Sequence, residues 1–331
     1  MVSIPPILFY ESVCCLLTNN LMTLFDCIIV GGGPAGLSAA IGARRMGPTV
    51  LLLEKDIVGG HPAVMASIDN YPGIEKIDGW AFTRIMEKQV IDLGCDVRES
   101  AEVVSVVPEA DGTKTAALVS GRKHRAKTVI IASGGEPKKL MVHGEERLAR
   151  HGVHYCAQCA GPAYKGGTVV VCGNGSRALA AADHLLTLAA QVVFVTEDHE
   201  LQGDAILAAQ LGACDRFQLL PRTRVREIRG ASQVEGLELV SPASDAVRVL
   251  AVDAIFIYTG LAPRTSIIAA NKDPQGYLRV DAQLQTSIEG VFGAGSVVGS
   301  DSWIVISAGE GARAGLAAAA WIGAHQRAAA G

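Results

Sequence analysis

Residues 25–40 read FDCIIVGGGPAGLSAA and pass from an apolar run through three glycines into a stretch of small residues. This order predicts a β-strand, a tight turn and an α-helix. A second apolar run, Val50–Leu53, ends at Glu54. Together the parts form a βαβ unit of about 30 residues, which is the arrangement of a dinucleotide-binding fold.

Each glycine of this turn has its own chemical role. Gly31 permits the turn, Gly33 lets the backbone approach a pyrophosphate, and Gly36 lets the helix pack closely on the strand. The helix N-terminus favours an anion. Glu54 would accept hydrogen bonds from an adenosine ribose. A glycine-rich turn with only a structural role is the disfavoured alternative, because strand, helix and Glu54 all stand where a nucleotide requires them.

A second copy of this pattern begins at residue 168 with TVVVCGNGSRA and continues into an Ala/Leu-rich helix and an apolar run at 192–195. Each copy is followed by alternating segments that predict antiparallel strands: 102–108, 116–119 and 127–132, then 223–228, 234–240 and 254–258. The chain is therefore predicted to be α/β, with two Rossmann-like domains of three-layer ββα design. Gly/Pro segments at 133–137 and 259–263 are the predicted hinges.

Composition excludes several classes of protein. The 331 residues carry a formal net charge of −4, so no nucleic-acid partner is expected. No uninterrupted apolar run reaches the roughly 20 residues needed to cross a membrane. The eight cysteines are scattered, which argues against a secreted disulfide framework and favours a cytoplasmic location. Residues 1–21 are expected to be an N-terminal extension that does not belong to the fold.

The segment Cys156-Ala157-Gln158-Cys159 places two thiols three residues apart, where the start of a helix would lower a thiol pKa. Such a pair cycles between dithiol and disulfide. Half of a zinc site and two inert cysteines are the alternatives. A zinc site would need another close pair of ligands, and no second CxxC exists, so no metal site is predicted.

Five stretches together resemble the low-molecular-weight thioredoxin reductase family of pyridine nucleotide-disulfide oxidoreductases, from Met22 to near the end of the chain. They are GGGPAG at 31–36, NYPG at 70–73, IASG at 131–134, GVHYCAQC at 152–159 and GVFGAG at 290–295. The resemblance implies that residues 22–137 and 263–331 form an FAD-binding domain. Residues 138–262 would be an inserted domain that carries the CxxC pair and an NAD(P)-binding-like site.

The resemblance also implies roles for individual residues. Cys159 would face the flavin and attack a partner disulfide, and Cys156 would resolve the mixed disulfide. A homodimer and a thioredoxin-like or small disulfide partner are implied as well. The implied cofactor-binding residues are Gly31, Gly33, Pro34, Ala35, Gly36, Glu54, Lys55, Gly60, His61, Asn70, Val104, Ala132, Ser133, Gly134, Gly295, Ser296, Trp303, Ile304 and Val305.

The second nucleotide site departs from the family pattern. Where the family has a basic His-Arg-Arg signature for the NADPH 2′-phosphate, this chain has Thr196-Glu197-Asp198. Two carboxylates repel a phosphate, which disfavours NADPH. The glycine motif itself persists as Gly173, Gly175 and Ala178. Glu197 could hold the ribose of NADH, or the site could hold a second FAD, or it could be vestigial.

Other departures lie near the expected flavin. Ala160 stands where the family has an acidic proton donor, so His154, His61 and Glu145 are the candidate replacements. Ser296 replaces the aspartate of the family's Gly-Asp motif. Residues 303–306, WIVI, replace a segment that contains Arg-Gln-Ala. These changes predict an altered set of FAD contacts.

The sequence therefore predicts an FAD-dependent disulfide oxidoreductase without NADPH dependence, whose electron donor is ferredoxin or a second flavin. A ferredoxin would need a basic docking face, for which Arg44, Arg45, Lys138 and Lys139 are the candidates. Three alternatives stay open: an oxygen-using dithiol oxidase, an NADH-dependent reductase, and a flavin-binding protein without catalysis.

Overall fold

The computed structural model describes residues 23–65, 67–241, 247–300 and 303–330. The predicted N-terminal extension, residues 1–21, lies outside these ranges. Within them, no helix is long and apolar enough to cross a membrane. The same residues contain no cluster of three or more His, Cys, Asp or Glu side chains that could hold a metal ion.

The first dinucleotide-binding unit forms a seven-stranded sheet. Its elements are β1 (Leu24–Val30), α1 (Pro34–Arg45), β2 (Val50–Leu53), α2 (Gly79–Asp92), β3 (Asp96–Arg98), β4 (Val103–Pro108), β5 (Lys114–Leu118), β6 (Lys123–Ile131) and, far along the chain, β17 (Val291–Gly293), with a 3₁₀ helix at His61–Val64. Strands β3, β2, β1 and β6 are parallel neighbours in that order. The first half of β6 pairs antiparallel with β5, and its second half pairs in parallel with β17.

The C-terminal helix α6 (Ile304–Ala330) completes this unit by packing on α1. The two helices approach at small residues. A Cβ at Gly311 would lie 2.0 Å from the carbonyl oxygen of Ala35, and one at Gly315 would lie 2.3 Å from that of Ala39. Larger residues would force the helices apart, so the glycines of α6 fix how the C-terminal segment returns to the first core.

The second unit forms its own parallel sheet. Its elements are β8 (Val153–His154), α3 (Ala157–Ala160), a 3₁₀ helix at Gly161–Tyr164, β9 (Thr168–Gly173), α4 (Ser176–Leu186), β10 (Gln191–Val195), α5 (Ala205–Gly212), β11 (Phe217–Leu220) and β15 (Ala254–Tyr258). The strand order is β11-β10-β9-β15-β8. An antiparallel sheet of β12 (Arg224–Arg229), β13 (Gly236–Val240) and β14 (Val247–Ala251) accompanies it. The central strands are apolar because both faces of the sheet are buried.

Two short strands join the units. Strand β7 (Gly135–Pro137) leaves the first sheet and pairs antiparallel with β16 (Leu261–Pro263), which leads back to it. Both strands lie in the predicted hinge segments. All strands of the second sheet fall between β6 and β17 in the sequence, so the second unit is inserted in the first. The predicted fold class is confirmed, whereas the predicted domain boundaries and the role of residues 133–137 and 259–263 as hinges stay predictions.

Candidate active site

A cleft of about 830 Å³ is lined by residues of the first glycine motif and by both cysteines of the CxxC pair. The cleft lies where β1, β2 and β6 end. Ligands of parallel α/β sheets bind at this edge, outside the carboxyl ends of the strands. The inserted unit contributes the segment from His154 to Ala160. The structure therefore brings together two motifs that are about 120 residues apart in the sequence.

The first glycine motif has the geometry that its sequence predicts. Gly31 has a φ of +109°, and a Cβ there would lie 2.3 Å from the carbonyl oxygen of Ala132. A Cβ at Gly36 would lie 1.8 Å from the carbonyl oxygen of Gly31. At Gly33, by contrast, a Cβ would meet nothing nearer than Gly60 Cα at 3.9 Å. Gly33 thus leaves an open approach to the N-terminus of α1, as a bound pyrophosphate requires.

Glu54 closes one end of the cleft. Its side chain is buried, one carboxylate oxygen accepts from the Gly32 amide at 2.6 Å and the other accepts from the Asp56 amide at 3.0 Å. It also lines an adjoining cavity of about 160 Å³, together with residues 101–103. The two cavities share Gly31, Glu54 and Ser133 among their lining residues, so Glu54 lies where the ribose of a dinucleotide bound at the first motif is expected.

Most of the predicted cofactor residues line this cleft. Those that do so are Gly31, Gly33, Pro34, Ala35, Glu54, Lys55, Gly60, His61, Ala132, Ser133, Gly134, Gly295, Ser296 and Ile304. Gly36 lies behind the turn and is buried. The structure does not place Asn70, Trp303 or Val305 on the wall of the cleft, and Trp303 is 46% exposed on the surface.

Val103 and Val104 differ in where their side chains lie. Successive side chains of a strand point to opposite faces. In β4, Val103 lies on the wall of the smaller cavity, whereas the Val104 side chain is 47% exposed. A cofactor contact of Val104 stays a prediction, and Val103 is the residue of this strand that lines the cavity.

The cysteine pair begins a short helix, as the spacing predicts. Cys156 caps α3, and its sulfur accepts a hydrogen bond from the Cys159 amide at 3.2 Å. The two cysteines form a disulfide with a Cα–Cα distance of 5.4 Å. The Ala157 amide donates to the Tyr258 hydroxyl at 2.9 Å, which fastens the helix to the end of β15. Cys159 is exposed and Cys156 is half-buried, so Cys159 is the more accessible residue of the pair.

The structure separates the three candidate proton donors. His154 lines the cleft, its Nε2 lies 2.7 Å from the Tyr164 hydroxyl, and burial lowers its pKa. Glu145 is fully buried away from the cleft, where it accepts hydrogen bonds from two backbone amides and from the Tyr155 hydroxyl. These three hydrogen bonds give Glu145 a structural role.

His61 also lines the cleft, but its neighbour is a cation. His61 is exposed and faces the open cleft. Desolvation by neighbouring protein atoms, and then the charge of Arg177, lower the pKa of His61. A terminal nitrogen of Arg177 lies 3.0 Å from His61 Nε2. His61 is therefore neutral near pH 7 and suited to hydrogen bonding.

The second glycine motif is held by its own side chain. The Asn174 amide nitrogen donates to a carboxylate oxygen of Asp198 at 2.8 Å and to the carbonyl oxygen of Glu200 at 3.0 Å. The Asn174 amide oxygen accepts from the backbone amides of Gly175 at 3.0 Å and Gln202 at 2.9 Å. We call these four bonds the Asn174 clasp; three of them fasten the loop of residues 198–203 to the motif, and the bond to Gly175 lies within the motif.

That loop also lies against the start of α4. A Cβ at Gly203 would lie 2.4 Å from the Ser176 amide nitrogen, so the loop backbone covers the position where an anion would meet the helix. Of the two predicted acidic residues, Glu197 is exposed and Asp198 is engaged by the Asn174 clasp. The shape of the turn and its packing are maintained by Gly173, Gly175 and Ala178.

Sequence reasoning missed two residues of the cleft region. Arg177, at a variable position of the second glycine motif, extends into the cleft of the first motif. The available signal was a long basic side chain in the first turn of a nucleotide-binding helix. Glu310 of α6 accepts from the Gly295 amide at 2.8 Å and from the Ser300 hydroxyl at 3.0 Å, beside Ser296. No local pattern marks it, because this contact depends on how α6 packs.

The fold and the cleft define a flavoprotein-type disulfide oxidoreductase, with a dinucleotide cleft that faces a CxxC disulfide. The pyridine nucleotide-disulphide oxidoreductase family model matches residues 25–322, and the chain belongs to this family. It is a thioredoxin reductase-like disulfide oxidoreductase. Members of this family use FAD.

Individual relatives agree with this assignment. Thioredoxin reductase of Treponema pallidum is 35% identical over 309 residues, which cover 91% of this chain and 98% of that protein. An alkyl hydroperoxide reductase protein of Pseudomonas putida is 34% identical over 305 residues, or 90% of this chain, but the chain spans only 58% of that relative's length.

Solved structures match over almost the whole chain. Thioredoxin reductase of Lactococcus lactis has a TM-score of 0.88 at 28% identity, covering 91% of this chain and 99% of that one. A ferredoxin-flavin thioredoxin reductase from Clostridium acetobutylicum covers 92% of this chain and 100% of its own, at 27% identity, with a TM-score of 0.52.

Proposed function

We propose that this protein is an FAD-dependent disulfide oxidoreductase that transfers electrons through Cys156 and Cys159 and takes them from a ferredoxin-type protein rather than from NADPH. The observation that carries the proposal is the difference between its two glycine motifs. The first opens onto the cleft at Gly33, whereas the second is acidic and is covered by its own loop.

The residues of the large cleft fit FAD. Gly33 and the start of α1 would hold the pyrophosphate, Glu54 the adenosine ribose, and the walls near Ser296 and Ile304 the flavin end. When bound there, FAD supplies two-electron redox chemistry. The predicted binding roles of the individual residues rest on this fit.

The case against NADPH is electrostatic and steric. A 2′-phosphate is normally bound by arginine or lysine, and here Glu197 and Asp198 occupy the positions at the end of β10. The loop against Ser176 also obstructs the pyrophosphate of any dinucleotide, which makes a second FAD at this motif the weaker alternative. A protein donor is consistent with the similarity to a ferredoxin-flavin thioredoxin reductase.

The four basic residues that the sequence offers for docking are not equally available. Arg44 donates to the carbonyl oxygens of Leu93 and Gly47, and Lys139 pairs with Glu146 at 2.9 Å. Arg45 and Lys138 are exposed. A ferredoxin face therefore remains a prediction, and the donor argument rests on the second motif.

The two cysteines have separate tasks in the proposed reaction. Reduction of their disulfide breaks the S–S bond, takes up two electrons and two protons, and leaves two thiols. The Cys159 thiolate then attacks a partner disulfide, which forms a mixed disulfide and breaks the partner's S–S bond. Attack by Cys156 on Cys159 restores the pair and releases the partner as a dithiol.

His154 is the residue that we propose to carry protons for the pair. It lies on the cleft two residues before Cys156, and its hydrogen bond with Tyr164 fixes the ring. Because burial lowers its pKa, the neutral ring is ready to take a proton from a thiol at pH 7 and to return it. The thioredoxin-like acceptor, the homodimer and the cytoplasmic location stay proposals alongside this role.

Anaerobic reduction tests the donor. FAD released by denaturation is counted per chain, and the native protein is titrated with NADPH, NADH and reduced ferredoxin while the flavin absorbance is followed. We expect one FAD per chain, bleached by ferredoxin at stoichiometric amounts and not by either pyridine nucleotide. Rapid bleaching by NADPH or NADH would disprove the donor proposal, and oxygen consumption driven by small dithiols would favour the dithiol oxidase instead.

A further inference from the structure

We propose that Arg177 of the inserted domain is an FAD-contacting residue, whose guanidinium balances the cofactor's negative charge at the end of the cleft that holds the cysteine pair. This inference rests on the FAD-binding part of the proposed function and not on the identity of the electron donor. It gives the second glycine motif a new task in the cleft of the first.

Arg177 belongs to the second unit but lines the cleft of the first. It is the second residue of α4, yet its side chain leaves the second motif and lines the same cleft as His61, Cys156 and Cys159. One terminal nitrogen lies 3.0 Å from His61 Nε2, and the guanidinium carbon lies 5.9 Å from the centre of the Tyr258 ring. Arg177 therefore reaches across from one dinucleotide-binding unit to the other.

The charge of Arg177 is not balanced by a neighbouring carboxylate of the described residues. In the part of the chain that the structure describes, no carboxylate lies within 4.0 Å of its guanidinium, and its Nε is buried without a hydrogen-bond partner. Arg177 as a whole is half-buried, and partial loss of water around a cation is compensated best by an anion. Because the His61 ring supplies a hydrogen bond but no negative charge, an anion bound in the cleft would complete the surroundings of Arg177.

Two other cations of the same cleft have carboxylate partners, and a third, Arg150, is exposed to solvent. Arg264 forms an ion pair with Glu136, and Lys55 lies 3.4 Å from Asp56. Arg177 differs from both. Because no carboxylate of the described residues neutralises Arg177, it is the cation of this cleft that a bound anion would neutralise.

FAD offers two anionic groups of suitable chemistry. Its pyrophosphate is always charged, and its ring system becomes negative when it is reduced or when sulfite adds to flavin N5, forming an N–S bond. Arginine binds either type of anion through its planar set of donors. The shared prediction is a charge-assisted contact with FAD, and the experiment separates its two sources.

The test compares Arg177→Gln, the stem-preserving Arg177→Met, and the control Arg248→Gln in the full chain. Arg248 is an exposed arginine on β14 of the same domain, so its removal changes the net charge equally. FAD is removed and rebound to measure its Kd by fluorescence, and sulfite is titrated into each reloaded protein. Circular dichroism checks that each variant is folded.

We expect both Arg177 variants to weaken at least one of these two Kd values by roughly tenfold or more, which is about 1.4 kcal/mol. Weaker FAD binding with normal sulfite affinity assigns the contact to the pyrophosphate. Normal FAD binding with weaker sulfite affinity assigns it to the flavin ring. Arg248→Gln should match the wild type in both measurements.

Equal FAD and sulfite affinities in the wild type and in a folded Arg177→Met protein would overturn the inference. A wild type that binds no FAD would overturn it together with the proposed function. Reduction by NADPH would remove only the donor proposal and would leave the Arg177 result standing, so the separate failures can be told apart.

Discussion

The two glycine motifs of this chain share one sequence pattern and have different surroundings. In the first, Gly33 faces an open cleft and a Cβ there would meet no atom nearer than 3.9 Å. In the second, the Asn174 clasp draws residues 198–203 onto the start of α4. The glycines permit the turn in both, and the residues between them decide whether a ligand can approach it.

The comparison shows how a nucleotide motif acquires another use. Asn174 and Arg177 occupy the variable positions of the second motif. One side chain fastens the motif's own loop, and the other enters the neighbouring cleft. A Rossmann-like turn therefore predicts a backbone shape more securely than it predicts a ligand.

The largest expected effect concerns the cysteine pair, which belongs to the second unit but faces the cleft of the first. Cys156→Ser and Cys159→Ser should each lower disulfide-reducing turnover by on the order of 10³-fold, because neither thiol alone can complete the exchange. The measurement is donor-driven reduction of a thioredoxin-like disulfide. Cys214→Ser, a half-buried free cysteine, is the matched control.

The same variants assign the two sulfurs. Cys156→Ser should accumulate a mixed disulfide with the partner through the exposed Cys159, visible by non-reducing electrophoresis and mass spectrometry. Accumulation only with Cys159→Ser would reverse the assignment of attacking and resolving residues.

The next effect separates the two motifs directly. Gly33→Ala should fold normally, because Gly33 has a φ of −77° that alanine also adopts, but its methyl group would project toward the bound pyrophosphate. We expect FAD affinity to fall roughly tenfold, or about 1.4 kcal/mol. Gly175→Ala strains a φ of +89° and should reduce stability without changing FAD affinity. Equal losses of FAD in both variants would contradict the difference between the motifs.

A smaller effect tests the Asn174 clasp. Asn174→Gly removes four hydrogen bonds and should destabilise the protein by about 1–3 kcal/mol, since partly exposed bonds contribute modestly. Hydrogen exchange at the Gly175 and Gln202 amides should accelerate, while FAD content stays constant. Asn271→Gly, an exposed asparagine in the first unit, controls for the backbone change. Identical exchange in the two variants would show that the clasp does not hold the loop.

The smallest effect is a pH dependence of stability. Burial lowers the pKa of His154, so the folded chain favours the neutral ring. Below the ordinary histidine pKa of about 6.5, the unfolded chain binds protons that the folded chain resists, and stability declines as pH falls. His154→Asn should reduce the loss of Tm between pH 7.5 and 5.5 by roughly 1–2 °C. The exposed His199→Asn variant should keep the full loss.

Local patterns predicted most of the secondary structure and misjudged its edges. Strand β15 has the bounds that its apolar run predicts. Strand β6 begins at Lys123, four residues before the predicted start, because pairing with β5 extends a polar segment that has little strand pattern of its own. Strand β14 is mostly exposed and was not predicted, since its pairing with β13 rather than burial creates it.

The sequence by itself determined the two strand-turn-helix units, the redox spacing of Cys156 and Cys159, and the acidic residues at the end of β10. These follow from short-range periodicity and from residue chemistry. The family resemblance implied that Cys159 faces the flavin cleft, whereas only the tertiary structure decided that Arg177 meets His61, 116 positions away in the chain. Such contacts depend on how two separately patterned cores pack across the β7–β16 connection, and neither core encodes that packing in its own local pattern.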